Sequence, residues 1–156
     1  MAARSKARKR ALDILFEAEQ RGLSVLPMLR ERLPIADPPI SEYAVSLIEG
    51  VVAHQARIDE LLSSYAIDWT LDRMPPVDRT VLRIAVFELL WVADVPDAVV
   101  VSEAVELATA LSTDESPRFI NGMLGRISDD KLQLMARVVA SSQPTCLVST
   151  PSPRRA

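Results

Sequence analysis

The chain of 156 residues has few of the residues that mark several common classes of protein. Cys146 is the only cysteine, so an intramolecular disulfide and a cysteine-only zinc site are both excluded, and a reducing cytoplasm is the expected location. Aromatic residues make up 4% and there are four glycines, which favours helices over a β-sandwich or barrel. The single histidine, His54, has no catalytic partner that the sequence reveals.

Long apolar runs are also absent. The most apolar stretch, residues 81–92, has 10 apolar residues of 12 and is interrupted by Arg83 and Glu88. Because a membrane-spanning helix needs about 20 apolar residues, we expect no membrane contact. Acids from Asp13 onward break the N-terminal stretch, so we expect no signal peptide. We also find no glycine-rich phosphate loop and no metal-ligand spacing, and therefore expect neither a cofactor nor an enzyme.

The charge that is present is distributed unevenly. The net charge is −3, but residues 11–153 hold 11 basic residues and all 21 acidic ones, a net charge of −10. Near the N-terminus lie five cations with no acid among them: Arg4, Lys6, Arg8, Lys9 and Arg10. We call these five residues the basic arm. A basic arm on an acidic chain is typical of a local contact with a polyanion, although a merely solvated terminus would show the same composition.

The predicted secondary structure favours the polyanion interpretation. Apolar residues recur through residues 4–21 with the period of a helix, and Gly22 is a natural stop. This phase places Lys6, Lys9 and Arg10 on the solvent face, with Arg4 and Arg8 beside the apolar stripe. Cations in the first turns of a helix oppose its dipole, and a phosphate backbone would remove that penalty. Phe16, two turns on, is suited either to stacking on a base or to filling the core.

The rest of the chain predicts an all-α fold with about seven helices in two packed subdomains, residues 1–72 and 73–141, followed by a disordered tail, 142–156. Residues 77–92 are apolar nearly all round, so this helix should be central. We expect Ser24, Ser41 and Ser116 to cap helices, Asp129 and Asp130 to lie in the first turn of the last helix, and Gly122 and Gly125 to permit close helix packing. Leu33 and Leu111 are expected on buried helix faces.

Three stretches, in order and at matching separations, resemble the bacterial NusB family of transcription antitermination factors. The likeness covers residues 4 to about 128. The first stretch is the arginine-rich segment 4–16. The second is 77–89 with Asp94-Val-Pro96 and Glu103-Ala-Val-Glu-Leu-Ala108. The third is Asp114-Glu-Ser-Pro-Arg-Phe-Ile-Asn-Gly-Met-Leu124.

The resemblance implies a non-catalytic protein that binds boxA-type single-stranded RNA of ribosomal RNA operon leaders. It also implies ribosomal protein NusE as partner, and indirect contact with other Nus factors and RNA polymerase. Arg4, Lys6 and Arg8 match basic family positions, Lys9 and Arg10 extend the cluster, and Phe16 stands where the family often has tyrosine. The partner surface implied by the family comprises Asp114, Glu115, Ser116 and Arg118, although Pro117 departs from the pattern.

Two alternatives stay open at this stage. The alternative function is that of a helical adaptor that binds only protein, in which the basic arm has no specific RNA role. Some members of the family form homodimers that cover the RNA surface, and the sequence does not decide whether this chain is one of them.

Overall fold

The computed structural model describes residues 2–67 and 69–141, and these form seven α-helices, one short 3-10 helix and no strand. The predicted all-α fold with about seven helices is therefore confirmed. The predicted tail, 142–156, lies outside the described residues. The helices are α1 (Ala3–Arg21), α2 (Val25–Arg32), α3 (Glu42–Tyr65), α4 (Pro76–Trp91), α5 (Asp97–Leu111), α6 (Ser116–Asp129) and α7 (Lys131–Ser141), with the 3-10 helix at Leu71–Arg73.

The first helix begins and ends close to where the sequence places it. Gly22 ends α1 with a φ of 63°, a left-handed conformation that a residue without Cβ adopts at little cost. Its N–H donates to the carbonyls of Ala18 and Glu19. At the other end, Ala2 supplies no side-chain cap and the first turn contains no acid. The start of α1 thus has cations and none of the usual features that stabilise a helix N-terminus.

The predicted caps differ in outcome. Ser41 caps α3 as expected, because its Oγ accepts a hydrogen bond of 3.2 Å from the N–H of Ala44. Ser24 holds the N-cap position of α2, but its side chain makes no capping hydrogen bond. Ser116 is the first residue of α6 rather than its cap, and Glu115 takes the cap position. The hydroxyl of Ser116 hydrogen-bonds Thr113 in the turn before α6. A serine that looks like a helix cap in the sequence therefore lies one residue inside the helix.

Helix α4 is central, as its apolar sequence predicts. Eleven of its 16 residues are buried, and it packs against α1, α3, α5, α6 and α7. Buried side chains from all seven helices form one continuous core. The division into residues 1–72 and 73–141 stays a prediction, with α4 at the junction.

Three further expectations about the packing are wrong. Asp129 ends α6 and Asp130 follows it, so α7 has no acid in its first turn. The α6 pattern simply continues past Ser128, which instead donates a hydrogen bond to Asp97. Leu33 and Leu111 are each 40% exposed, because both stand at the boundary between a helix and a loop.

The glycine expected to permit close packing is also a different one. A Cβ at Gly122 or Gly125 would meet no atom within 4 Å, so these residues do not serve a close approach. A Cβ at Gly50 in α3 would overlap the ring of Phe87 in α4. Phe87 and Trp91 in turn stack with His54, whose ring centroid lies 4.3 Å from that of Trp91. Gly50 therefore makes room for an aromatic cluster between α3 and α4.

No helix in the described part of the chain is both long enough and apolar enough to cross a membrane. Within the same residues, no group of three or more histidine, cysteine or acidic side chains is placed to hold a metal ion.

Candidate nucleic-acid interface

The start of α1 is held against the protein by a buried ion pair. Arg8 Nε and a terminal guanidinium nitrogen bind the two carboxylate oxygens of Glu88 in α4, at 2.7 and 2.8 Å. The two side chains are only 4% and 1% exposed. Burial alone lowers the pKa of the Arg8 guanidinium, but the hydrogen bonds and charge of Glu88 outweigh it and the pKa is raised. Arg8 thus stays charged, and Glu88 balances its charge inside the protein.

Neighbouring polar groups complete the surroundings of this pair. Tyr43 in α3 donates its hydroxyl hydrogen to the second oxygen of Glu88, at 2.7 Å. Burial, followed by this bond to a carboxylate, raises the pKa of the Tyr43 phenol well above its usual value. Glu103 in α5 lies 3.9 Å from Arg8 and accepts a hydrogen bond of 2.7 Å from Ser5. The N-terminal turns of α1 are therefore tied to α3, α4 and α5.

The other four cations of the basic arm lie nearer the surface. Arg4 pairs with Asp94 at 2.8 Å, and the two side chains are 45% and 66% exposed. Lys9 pairs with Asp13, one turn on in α1, at 3.2 Å. Lys6 is exposed and has no ion pair or side-chain hydrogen bond with any described residue. These three side chains present positive charge that a phosphate can reach.

Arg10 and Phe16 lie at the sides of α1. Arg10 was expected on the solvent face, but it is half-buried, with its guanidinium 3.5 Å from the carbonyl oxygen of Pro38 in the loop before α3. Phe16 is also half-buried, and its ring stacks on no aromatic ring in the described ranges. The structure thus brings Lys6, Lys9 and Arg4 to the open surface, and leaves Arg8 inside.

The Arg8–Glu88 pair was not predicted, although the sequence carries a signal for it. Glu88 is an acid within the most apolar stretch of the chain, and an acid at a core position needs a buried partner. Arg8 was placed beside the apolar stripe of α1 by helix phase. What the sequence cannot show is that these residues, 80 positions apart, meet in space.

The second predicted surface surrounds the turn before α6. Asp114, Glu115 and Arg118 line an open groove of about 720 Å³. Trp69 and Phe119 line it as well, with ring centroids 5.3 Å apart and planes inclined by 50°. Ser116 is not part of this surface, because it is 1% exposed and its Oγ bonds Ser112 and Thr113. The groove combines both signs of charge with two aromatic side chains.

Together, the fold and these surfaces define a class of protein: an all-helical domain with a cationic first helix on an otherwise acidic chain. The model of the NusB family matches residues 5–129. The chain belongs to the NusB family, which consists of transcription antitermination factors without catalytic activity.

Individual relatives agree with this assignment. The transcription antitermination protein NusB of Kineococcus radiotolerans is 63% identical over 136 residues, which cover 87% of this chain and 100% of the relative. Among solved structures, T. maritima NusB superposes with a TM-score of 0.74 at 33% identity, covering 83% of this chain and 92% of that one. A NusB in a complex of antitermination factors NusB and NusE with double-stranded RNA superposes with a TM-score of 0.71 at 26% identity, covering 81% and 96%.

Proposed function

We propose that this chain binds boxA-type single-stranded RNA from ribosomal RNA operon leaders, together with ribosomal protein NusE. In this proposal it acts in the cytoplasm and joins other Nus factors and RNA polymerase only indirectly. The observation that carries the proposal is the exposed positive charge of Arg4, Lys6 and Lys9 at the start of α1, on a chain that is otherwise acidic. The relative solved with NusE and double-stranded RNA supports NusE and RNA as the kinds of partner.

The structure changes the role proposed for Arg8. Since its guanidinium is buried against Glu88, we assign Arg8 to fixing α1 rather than to direct contact with a phosphate. The direct contacts are then Arg4, Lys6 and Lys9, with Arg10 at the edge beside the 33–41 loop. Phe16 is proposed as a stacking platform, because base stacking on an aromatic ring contributes about 1–3 kcal/mol.

The test is RNA titration of a triple variant that keeps the buried pair intact. Arg4→Ala, Lys6→Ala and Lys9→Ala together should weaken binding of labelled boxA RNA by at least tenfold at low salt. The matched control removes three other exposed cations, Arg30, Arg73 and Arg137, and so changes net charge equally. Equal binding by the triple variant and the parent would contradict the RNA role and favour the protein-only adaptor.

For the partner surface, we propose that NusE docks at the groove beside α6, on Asp114, Glu115 and Arg118. The groove has both signs of charge around the Trp69–Phe119 pair. Protein-binding surfaces commonly have aromatic side chains at the centre and polar ones at the rim. Exchanging the charges with Glu115→Lys and Arg118→Glu should weaken NusE binding, measured by calorimetry, while Glu31→Lys on α2 should not. Unchanged NusE affinity in the exchanged variant would contradict this docking site. Sedimentation of the free chain would separate a monomer from a homodimer.

A further inference from the structure

Arg4 already holds an anionic oxygen in this structure. Its guanidinium donates to a carboxylate oxygen of Asp94 at 2.8 Å, and both side chains are open to solvent. Asp94 lies in the turn between α4 and α5, so the contact joins the basic arm to a different part of the fold. A carboxylate and a phosphate offer a guanidinium similar pairs of oxygens. A backbone phosphate that binds Arg4 would therefore take the position that the Asp94 carboxylate now occupies.

The guanidinium of Arg4 is also held in a defined place. It lies 4.5 Å from the centre of the Tyr43 ring, within range of a cation–π contact. The Tyr43 ring is in turn fixed, because its hydroxyl donates to Glu88, which is buried against Arg8. Arg4 thus rests on a rigid support, and its outer edge faces one anion position.

The other cations of the basic arm are not opposed in this way. Lys9 pairs with Asp13 of its own helix, a contact of the ordinary i,i+4 kind. Lys6 has no acidic partner among the described residues. Among the exposed cations of the basic arm, Arg4 is therefore the one that pairs with an acid from another element of the fold.

We propose that Asp94 is an intramolecular competitor for the RNA backbone, occupying the phosphate position at Arg4 until RNA displaces it. This inference rests on the proposed function and adds a residue that regulates it. The contact is suited to displacement, because ion pairs between exposed side chains are weak and a polyanion brings several charges at once. A single phosphate gains little binding free energy by replacing Asp94. A strand that also reaches Lys6 and Lys9 gains more, because it makes several contacts at once.

The first test is Asp94→Asn, titrated with labelled boxA RNA at low salt by fluorescence anisotropy. We expect binding about 2- to 5-fold tighter than the parent, the range implied by the strength of exposed ion pairs. The gain should shrink as salt screens the surface charges. The charge-matched control is Asp72→Asn, which alters an exposed acid on the 3-10 helix that has no ion pair or hydrogen bond within the described ranges. It should bind as the parent does.

The second test repeats Asp94→Asn in an Arg4→Ala background. If Asp94 competes for Arg4, the gain should disappear there, since the contested cation is gone. The same gain in both backgrounds would overturn the competition and indicate a general effect of charge. Unchanged or weaker binding of Asp94→Asn, with a parent that binds, would overturn this inference alone. Absence of RNA binding by the parent and by Asp94→Asn would overturn the proposed function and the inference with it.

Discussion

Arg8 of α1 and Glu88 of α4 form an ion pair that is almost completely buried. Their guanidinium and carboxylate form two hydrogen bonds, and Tyr43 satisfies a further lone pair of Glu88. A buried pair of this kind contributes little compared with an apolar pair of the same shape, but removing one member leaves a buried charge without a partner. The consequence is a sharp difference between single and double substitutions.

We predict that Glu88→Gln lowers the free energy of unfolding by about 3 kcal/mol, because Arg8 would keep its charge in a buried place. The double variant Arg8→Met, Glu88→Leu should lie closer to the parent than Glu88→Gln does. Urea unfolding monitored by circular dichroism measures both. Lys9→Ala, which breaks only an exposed pair, should change stability by less than about 1 kcal/mol. A Glu88→Gln variant as stable as the parent would show that the pair is not buried.

The glycines provide a second prediction at this scale. In an open helix, replacing glycine by alanine stabilises by up to about 1 kcal/mol, which we expect for Gly122→Ala. Gly50→Ala should instead destabilise by about 1–2 kcal/mol. Its Cβ would force the Phe87 ring away from His54 and Trp91, and overpacking outweighs helix propensity. Thermal unfolding of the two variants should therefore shift in opposite directions, and a stabilised Gly50→Ala would show that Phe87 moves freely.

At the scale of elements, α1 and α2 are joined by a three-residue ion cluster. Glu17 of α1 accepts two hydrogen bonds of 2.6 Å from Arg32 of α2, and one of 3.0 Å from Arg21. These guanidinium groups, Arg32 before Arg21, lower the pKa of the Glu17 carboxyl from 4.5 to about 2. Because this pKa is depressed in the folded protein, the stabilisation by Glu17 is present above pH 4.5 and is lost as the pH falls toward 2.

The variant Glu17→Gln tests this linkage. The difference in unfolding free energy between the parent and Glu17→Gln should be constant above about pH 5, decrease below it and reach its minimum below about pH 2. Chemical unfolding at a series of pH values measures it. Glu31→Gln, at an exposed carboxylate of α2 without an ion pair in the described part of the chain, should show no such trend. A pH-independent difference for Glu17→Gln would mean that the cluster does not form in solution.

The comparison of sequence and structure is also clearest at this scale. Periodicity and stop signals located α1, α3 and the central α4 to within a residue or two, because each has a strong apolar face and a clear end. The boundary between α6 and α7 was wrong, since acids at 129 and 130 are typical of a helix start, whereas Asp129 ends α6 and Asp130 is its C-cap. Contacts such as Arg8–Glu88 and Arg4–Asp94 depend on how distant helices pack, which local patterns do not contain.

For the whole molecule, the burial of Arg8 changes what RNA binding should look like. An acidic chain with a small cationic surface has little affinity for polyanions elsewhere, so the number of phosphate contacts is limited to the cations of the basic arm that lie outside the core. Five contacts from the basic arm would give a slope of about −3.5 in log K against log salt, at about −0.7 per contact on a single strand. Without Arg8, the three exposed cations Arg4, Lys6 and Lys9 together with the half-buried Arg10 make four contacts, which give about −2.8.

We therefore predict a slope near −2.8 for the parent with boxA RNA, measured by titration across a salt series without NusE. Lys6→Ala should reduce the steepness by about 0.7, because Lys6 has no acidic partner among the described residues and is free to release a counterion from RNA. Arg73→Ala, remote from α1 in sequence, should leave the slope unchanged. A slope near −3.5 would mean that RNA draws Arg8 away from Glu88, so that binding rearranges the core, and the stability of Glu88 variants should then respond to RNA.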